Sequence, residues 1–207
     1  MNALFMNDRG AALIMVLLTA GLLSAVGVSL LLVTDTERRI AANAAYGVET
    51  AAAADAALQR ALIDVQLSAA WGAILAGTEH SRFFDATPRP QLPAGGTLDL
   101  AGATADLQAE TNALGNLGAN APLWRLYASG RMSSLAPSGT LDSAEYLTVW
   151  VADDPSDADG DPNADSNGMI TLRAEGHGLG GARRAVEATV ARTAAGAVNL
   201  MSWREVR

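Results

Sequence analysis

The sequence predicts an α+β protein, with a long N-terminal helix, apolar and then amphipathic, packed on a C-terminal antiparallel β-sheet. Three observations predict it. An uncharged apolar run is followed by an alanine-rich stretch without proline, and after residue 97 the apolar periodicity changes from that of a helix to that of strands.

The apolar run, Ala11 to Val33, reads AALIMVLLTAGLLSAVGVSLLLV and contains no charge. As a helix, 23 residues rise about 35 Å, enough to cross the hydrocarbon core of a bilayer with modest tilt. Its only polar side chains are Thr19, Ser24 and Ser29. A secretory signal has an apolar stretch of roughly 7–15 residues with a small-residue cleavage site after it. Here the polar-to-apolar junction, Arg9-Gly10, precedes the run. Residues 1–10 therefore read as a short polar leader, or as the inner flank of an uncut signal anchor. Arg9 argues for a cytoplasmic N-terminus, and Arg38 and Arg39 beyond the span pull the other way.

From Thr34 to Trp71 the chain keeps helical character, dominated by alanine, the strongest helix former. A stripe at helical spacing runs Ile40, Ala44, Gly47, Ala51, Ala54, Leu58, Leu62, Val65 and Ala69. It predicts one continuous rod over 11–72, membrane half 11–33 and amphipathic half 34–72, ending at Trp71-Gly72; the other reading is a separate amphipathic helix after a break at Gly47. Leu58, Leu62 and Val65 need an apolar partner such as a sheet. Residues 73–97 hold the Pro/Gly-rich DATPRPQLPAGGT and read as a connection.

Residues 98–207 read as a β-rich domain. Strands are predicted at Trp124–Arg131, Glu145–Ala152, Ile170–Glu175 and Arg184–Arg192, with a weaker one at Leu98-Asp99-Leu100. Val186, Ala188 and Val190 face one way and Glu187 and Thr189 the other, the alternation of a sheet with one buried face. In the tail, Trp203 reads as a packing anchor.

Composition narrows function. The chain has 14 basic residues, all arginine, against 22 acidic ones, for a net charge of −8. Six of the acids crowd into Asp153–Asp165, so the acidity is local. No basic patch exists, which argues against a nucleic-acid partner. With no cysteine, two isolated histidines (His80 and His177) and no lysine, the players for nucleophilic catalysis or a zinc site are missing, and the chain does not read as an enzyme. Gly176-His177-Gly178-Leu179-Gly180-Gly181 formally fits a dinucleotide fingerprint. An alternating β segment follows it in place of a helix, so it reads as a hairpin turn.

The one constellation with a chemical look is VADDPSDADGDPNADSNG. Asp157, Asp159, Asp161, Asn163, Asp165 and Asn167 recur at alternate positions, as hard oxygens wrapped around calcium would. Asp157, Asp159, Asp161 and Asp165 are the leading candidate ligands, with Asn167 and Asp153 behind them. The spacing departs from an EF-hand, having Gly168 and Leu172 where a glutamate belongs. A solvated turn rich in Asp and Asn is the other reading.

RGAALIMVLL, the long alanine-rich helix after it and the β-rich remainder resemble the PilX-type minor pilins, low-abundance relatives of the type IV pilin subunit. The resemblance implies a type IV pilin-like fold, cleavage between Gly10 and Ala11 by prepilin peptidase, and N-methylation of Ala11. It also implies a subunit that waits in the bacterial inner membrane with its C-terminal domain outside the cytoplasm. From there it joins the pilus, at its tip or in the complex that primes assembly, with major and minor pilins and a tip adhesin as partners. Major pilins carry a glutamate as the fifth mature residue, and here that position is Met15. A carboxylate in a bilayer needs a partner, which in pilins is a neighbour's terminal amine. A subunit lacking it is of the kind expected at the tip. Minor pseudopilins of type II secretion share the departure and form the first alternative. An unprocessed single-pass protein with an outer ligand-binding domain is the second.

Overall fold

The computed structural model describes residues 8–115, 117–118 and 120–206; residues 1–7 of the expected leader lie outside it. The chain divides into two compact units, Met1–Ala44 and Ala45–Arg207. Helix α1, Asp8–Leu67, contributes to both and runs through Gly47 without a break.

In the first unit every residue from Gly10 to Val33 is exposed, so among the described residues nothing covers its leucines and valines. Two of the three hydroxyls of this stretch are turned inward on the helix itself. Thr19 Oγ1 donates to the Met15 carbonyl at 2.7 Å and Ser29 Oγ to that of Ala25 at 2.9 Å. Hydroxyls bonded back to the preceding turn in this way suit a lipid environment. Among the described residues, α1 is the one helix long and apolar enough to cross a membrane.

In the second unit a five-stranded antiparallel meander, ordered β1-β2-β3-β4-β5, lies between two helices. The strands are β1 Arg125–Arg131, β2 Tyr146–Asp153, β3 Met169–His177, β4 Arg183–Arg192 and β5 Val198–Val206. The inward residues of one face, among them Leu147, Val149, Ile170, Leu172, Val186 and Val190, form a core with Ala53, Ala54, Ala57, Leu58, Ala61 and Val65 of α1. The buried stripe is rotated from the one expected. Thr50, Asp64 and Ser68 are buried while Ile40 is 64% exposed. Two glycines account for the rotation at Thr50. A Cβ on Gly176 would sit 2.5 Å from the Thr50 carbonyl, and one on Gly178 2.1 Å from Thr50 Oγ1. The glycine-rich turn thus serves as a contact surface for the helix as well as a hairpin, β3 to β4.

Helix α1 ends at Leu67, four residues short of the expected Trp71. Ala70 is extended, and a separate short helix, α2 Trp71–Leu75, follows. Side chains take carbonyls near the end of α1 and just past it. Trp71 Nε1 donates to Val65 O at 3.1 Å, and the Arg192 guanidinium donates to the carbonyls of Val65, Ser68 and Ala69. Arg192 in turn lies over the Trp71 ring, 4.3 Å from its centroid.

The connection after α2 runs along the open edge of β1, with Ser81 N donating to Tyr127 O and Asp85 N to Ser129 O, both at 3.0 Å. Leu98-Asp99-Leu100 is not a strand. Asp99 caps helix α3, Leu100–Ala113, by accepting from the amides of Ala101 and Gly102, the ordinary role of an aspartate at a helix start. Helix α3 covers the second sheet face, where Leu107, Trp124, Trp150 and Ala152 form a smaller core. Two threonines a double turn apart receive the indole N–H groups, Trp150 to Thr104 Oγ1 at 2.8 Å and Trp124 to Thr111 Oγ1 at 2.7 Å.

Trp203 does not anchor packing. It pairs with Ala188 from the edge strand β5, where no further strand covers it, and is 51% exposed.

Candidate functional site

The acidic segment joins β2 to β3, and its first residue, Asp153, closes β2. The fold gathers three of the six expected ligands: carboxylate oxygens of Asp153, Asp157 and Asp159 lie within 4.8 Å of one another. Asp153 and Asp157 are buried and Asp159 is exposed. The other three are engaged locally. Asp161 accepts the Asn163 amide at 3.0 Å, Asp165 accepts those of Gly168 and Met169 at 2.7 and 3.1 Å, and Asn167 Nδ2 donates to Asp154 at 2.6 Å. The bonds at Asp161 and Asp165 are the turns that such residues form with the backbone just ahead of them, whereas that of Asn167 reaches back 13 residues to a side chain. Asn163 Oδ1 accepts from Arg125 at 3.2 Å.

The gathered carboxylates are electrostatically unlike. Burial pushes Asp153 up to about 7; the nearby charges of Asp157, Asp154 and Asp165 add to this, against the lowering bond from the Asp154 amide. Asp157 is held below the usual carboxylate range by the Ser166 hydroxyl and amide, and by the amides of Asp159 and Asn167. Burial also raises Asp165. The group is therefore a cluster of hard oxygens in which one carboxylate is securely charged and its buried neighbour resists ionisation in the absence of a cation.

Asn120, from the segment between α3 and β1, completes this surrounding and was invisible in the sequence. Its Nδ2 donates to Asp153, from which it is separated by 33 residues. In the stretch TNALGNLGANAP an Asn reads as a turn residue, and no local pattern sets Asn120 apart from Asn112 and Asn116.

A second polar cluster lies on the α3 side of the sheet. Buried Glu175 accepts two bonds from Arg183, at 2.7 and 2.8 Å, and one from Arg173 at 3.3 Å, while Arg173 also meets Glu110 of α3 at 3.4 Å. His177 is 7% exposed, with its Nε2 3.9 Å from Glu175. A cavity of about 290 Å³ opens here, lined by Leu98, Asp106, Glu110 and His177 among others. Burial holds the His177 pKa below its ordinary 6.5; Glu175 opposes that and Arg183 adds to it. The charges facing it are Glu175, Arg173 and Arg183 from the sheet and Asp106 and Glu110 from α3. A lowered folded pKa means that the unfolded chain takes up the proton first. The contribution of His177 to stability is intact above pH 6.5 and is lost as pH falls below it. Urea unfolding at about pH 7.5 and about pH 5.5 is expected to show a smaller loss on acidification for His177→Gln than for the natural chain. Equal losses would remove His177 as the source. His80 lies apart, stacked on Phe84 with ring centroids 4.2 Å apart.

At the expected processing point, Gly10 and Ala11 are both exposed within α1. Comparison with protein-family models, with curated proteins and with solved structures gave no match to this chain.

Proposed function

We propose that this chain is a membrane-anchored assembly subunit of the PilX-type minor pilin kind, processed by prepilin peptidase between Gly10 and Ala11 and acting at the tip or in the priming of a type IV pilus. The observation that carries this reading is the make-up of α1. Its residues 10–33 are apolar and wholly uncovered, whereas from Thr50 to Val65 it supplies the buried stripe of a sheet domain. A helix of that kind has two settings in which its first part is satisfied: lipid, or a bundle of like helices that replaces lipid contact for contact. Transfer from one to the other is the mechanical step of assembly. Met15 in place of a carboxylate leaves nothing in the span for a neighbour's amine to neutralise, which fits a subunit with no later neighbour.

The test is the N-terminus of the mature protein by mass spectrometry, in cells with an active prepilin peptidase. An N-methylated Ala11 is expected. Retention of Met1 would defeat the proposal and leave an unprocessed single-pass membrane protein. An N-methylated Ala11 in cells that have a type II secretion system and no pilus would instead assign the chain to the minor pseudopilins.

A further inference from the structure

We propose that Asp153, Asp157 and Asp159, together with the side-chain amide of Asn120, bind one divalent cation of the calcium class. Two independent observations meet at the same place. The first is the cluster of carboxylate oxygens, all within 4.8 Å of one another. The second is Asn120, from a different part of the chain. It is 1% exposed, its Nδ2 donates to Asp153, and its Oδ1 is buried with no donor among the described residues. Buried side-chain oxygens in folded proteins are almost always partnered. A half-turn of the amide exchanges its nitrogen and oxygen at nearly equal shape, and it then points the oxygen at the Asp153 carboxylate. Two acceptors facing each other need a proton or a cation between them, and a cation shared with Asp157 and Asp159 serves all three carboxylates at once.

The donor set decides the kind of ion. It consists of oxygens only, carboxylate and amide, with no imidazole in the cluster and no thiol in the chain. That excludes a preference for zinc or copper. The Ser166 hydroxyl, which now donates to Asp157, and the Asp154 carboxylate lie alongside as further oxygens. A turn with exposed Asp159 on one side adapts to seven or eight ligands more readily than to the tight octahedron that magnesium requires. The cation would fasten the β2–β3 connection to the segment entering β1. The two already touch closely, since a Cβ on Gly118 would lie 2.2 Å from the Pro155 carbonyl.

The experiment uses the full chain purified in detergent, with calcium or magnesium chloride titrated calorimetrically after EGTA treatment, and melting followed by tryptophan fluorescence. Expected are one calcium equivalent per chain, binding at least about tenfold tighter than magnesium, and a melting temperature raised by calcium. Asn120→Ala should weaken calcium at least about tenfold, on the scale of a lost ligand or ligand-orienting group. Asp159→Asn, at an exposed position, should do the same. Asp161→Asn, outside the cluster, should leave affinity unchanged. The absence of heat and of any melting shift in the natural chain would overturn the proposal. So would Asn120→Ala binding as the natural chain does, magnesium binding as tightly as calcium, or Asp161→Asn weakening calcium as much as Asp159→Asn.

Discussion

Gly176→Ala is expected to cost the sheet domain about 3 kcal/mol or more, at or beyond the upper end of ordinary overpacking. The added Cβ would lie 2.5 Å from the Thr50 carbonyl oxygen and 3.1 Å from the Ala54 nitrogen. Both are backbone atoms of α1, and Gly176 is itself held in the β2–β3 and β3–β4 ladders. Neither side can yield without moving a helix against a sheet. Against a typical total stability of about 5–15 kcal/mol, that is enough to leave a sizeable unfolded fraction. Gly178→Ala meets a different obstacle, the Thr50 hydroxyl at 2.1 Å, with the Thr50 Cβ at an ordinary 3.4 Å. Thr50→Ala removes that hydroxyl and should rescue most of the loss in Gly178→Ala, while leaving the loss in Gly176→Ala untouched. Urea unfolding of the two double-mutant cycles reads this directly. Rescue of both glycine variants by Thr50→Ala would disprove the backbone clash.

Trp71→Ala is the second large loss, expected at about 3–5 kcal/mol for a buried aromatic and toward the top of that range here. The indole is 2% exposed within the main core. Its Nε1 takes the Val65 carbonyl, and its ring face supports the guanidinium that takes the next ones. Its removal opens a cavity and also loosens the capping of α1. Trp71→Phe keeps most of the volume and an aromatic face for Arg192, and should cost about half as much or less. Arg192→Gln should cost about 1–2 kcal/mol, the value of a few exchanged hydrogen bonds and one cation–π contact. Thermal unfolding of the three variants checks the order. Equal losses for Trp71→Phe and Trp71→Ala would show that the Nε1 bond dominates over packing.

What the sequence disclosed and what it hid follow from where the signals are written. The apolar run, the β-alternation at Val186, Ala188 and Val190, and the hairpin reading of the glycine turn all depend on residues close together along the chain, and each is found in the structure. Helix α3 was missed because its contact with the sheet is half polar. Thr104 and Thr111 face the sheet to receive Trp150 and Trp124, so a search for apolar period finds little beyond Leu100 and Leu107. The aspartate cap at Asp99 was the legible clue. The buried stripe of α1 was placed off its true centre for a similar reason. Thr50 sits inward because two glycines distant in sequence make room for it, and Asp64 because Arg60, Ser81 and the Arg82 amide surround its carboxylate. At the acidic segment the residue types were plain in the sequence. Which three converge, and that Asn120 joins them, depends on a contact across 33 residues.

The two borders of the sheet are unequal. Along β1 the amide and carbonyl of Ser129 are already taken by Phe83 and Asp85, whereas β5 ends the ladder with Leu200, Met201 and Trp203 more than half exposed. A border strand of that description invites pairing with another strand. Because β5 is the one border left free among the described residues, such pairing closes on itself after a single partner, and a ribbon growing from copy to copy has no second border from which to continue. Self-association of this domain through its strands therefore has a ceiling of two.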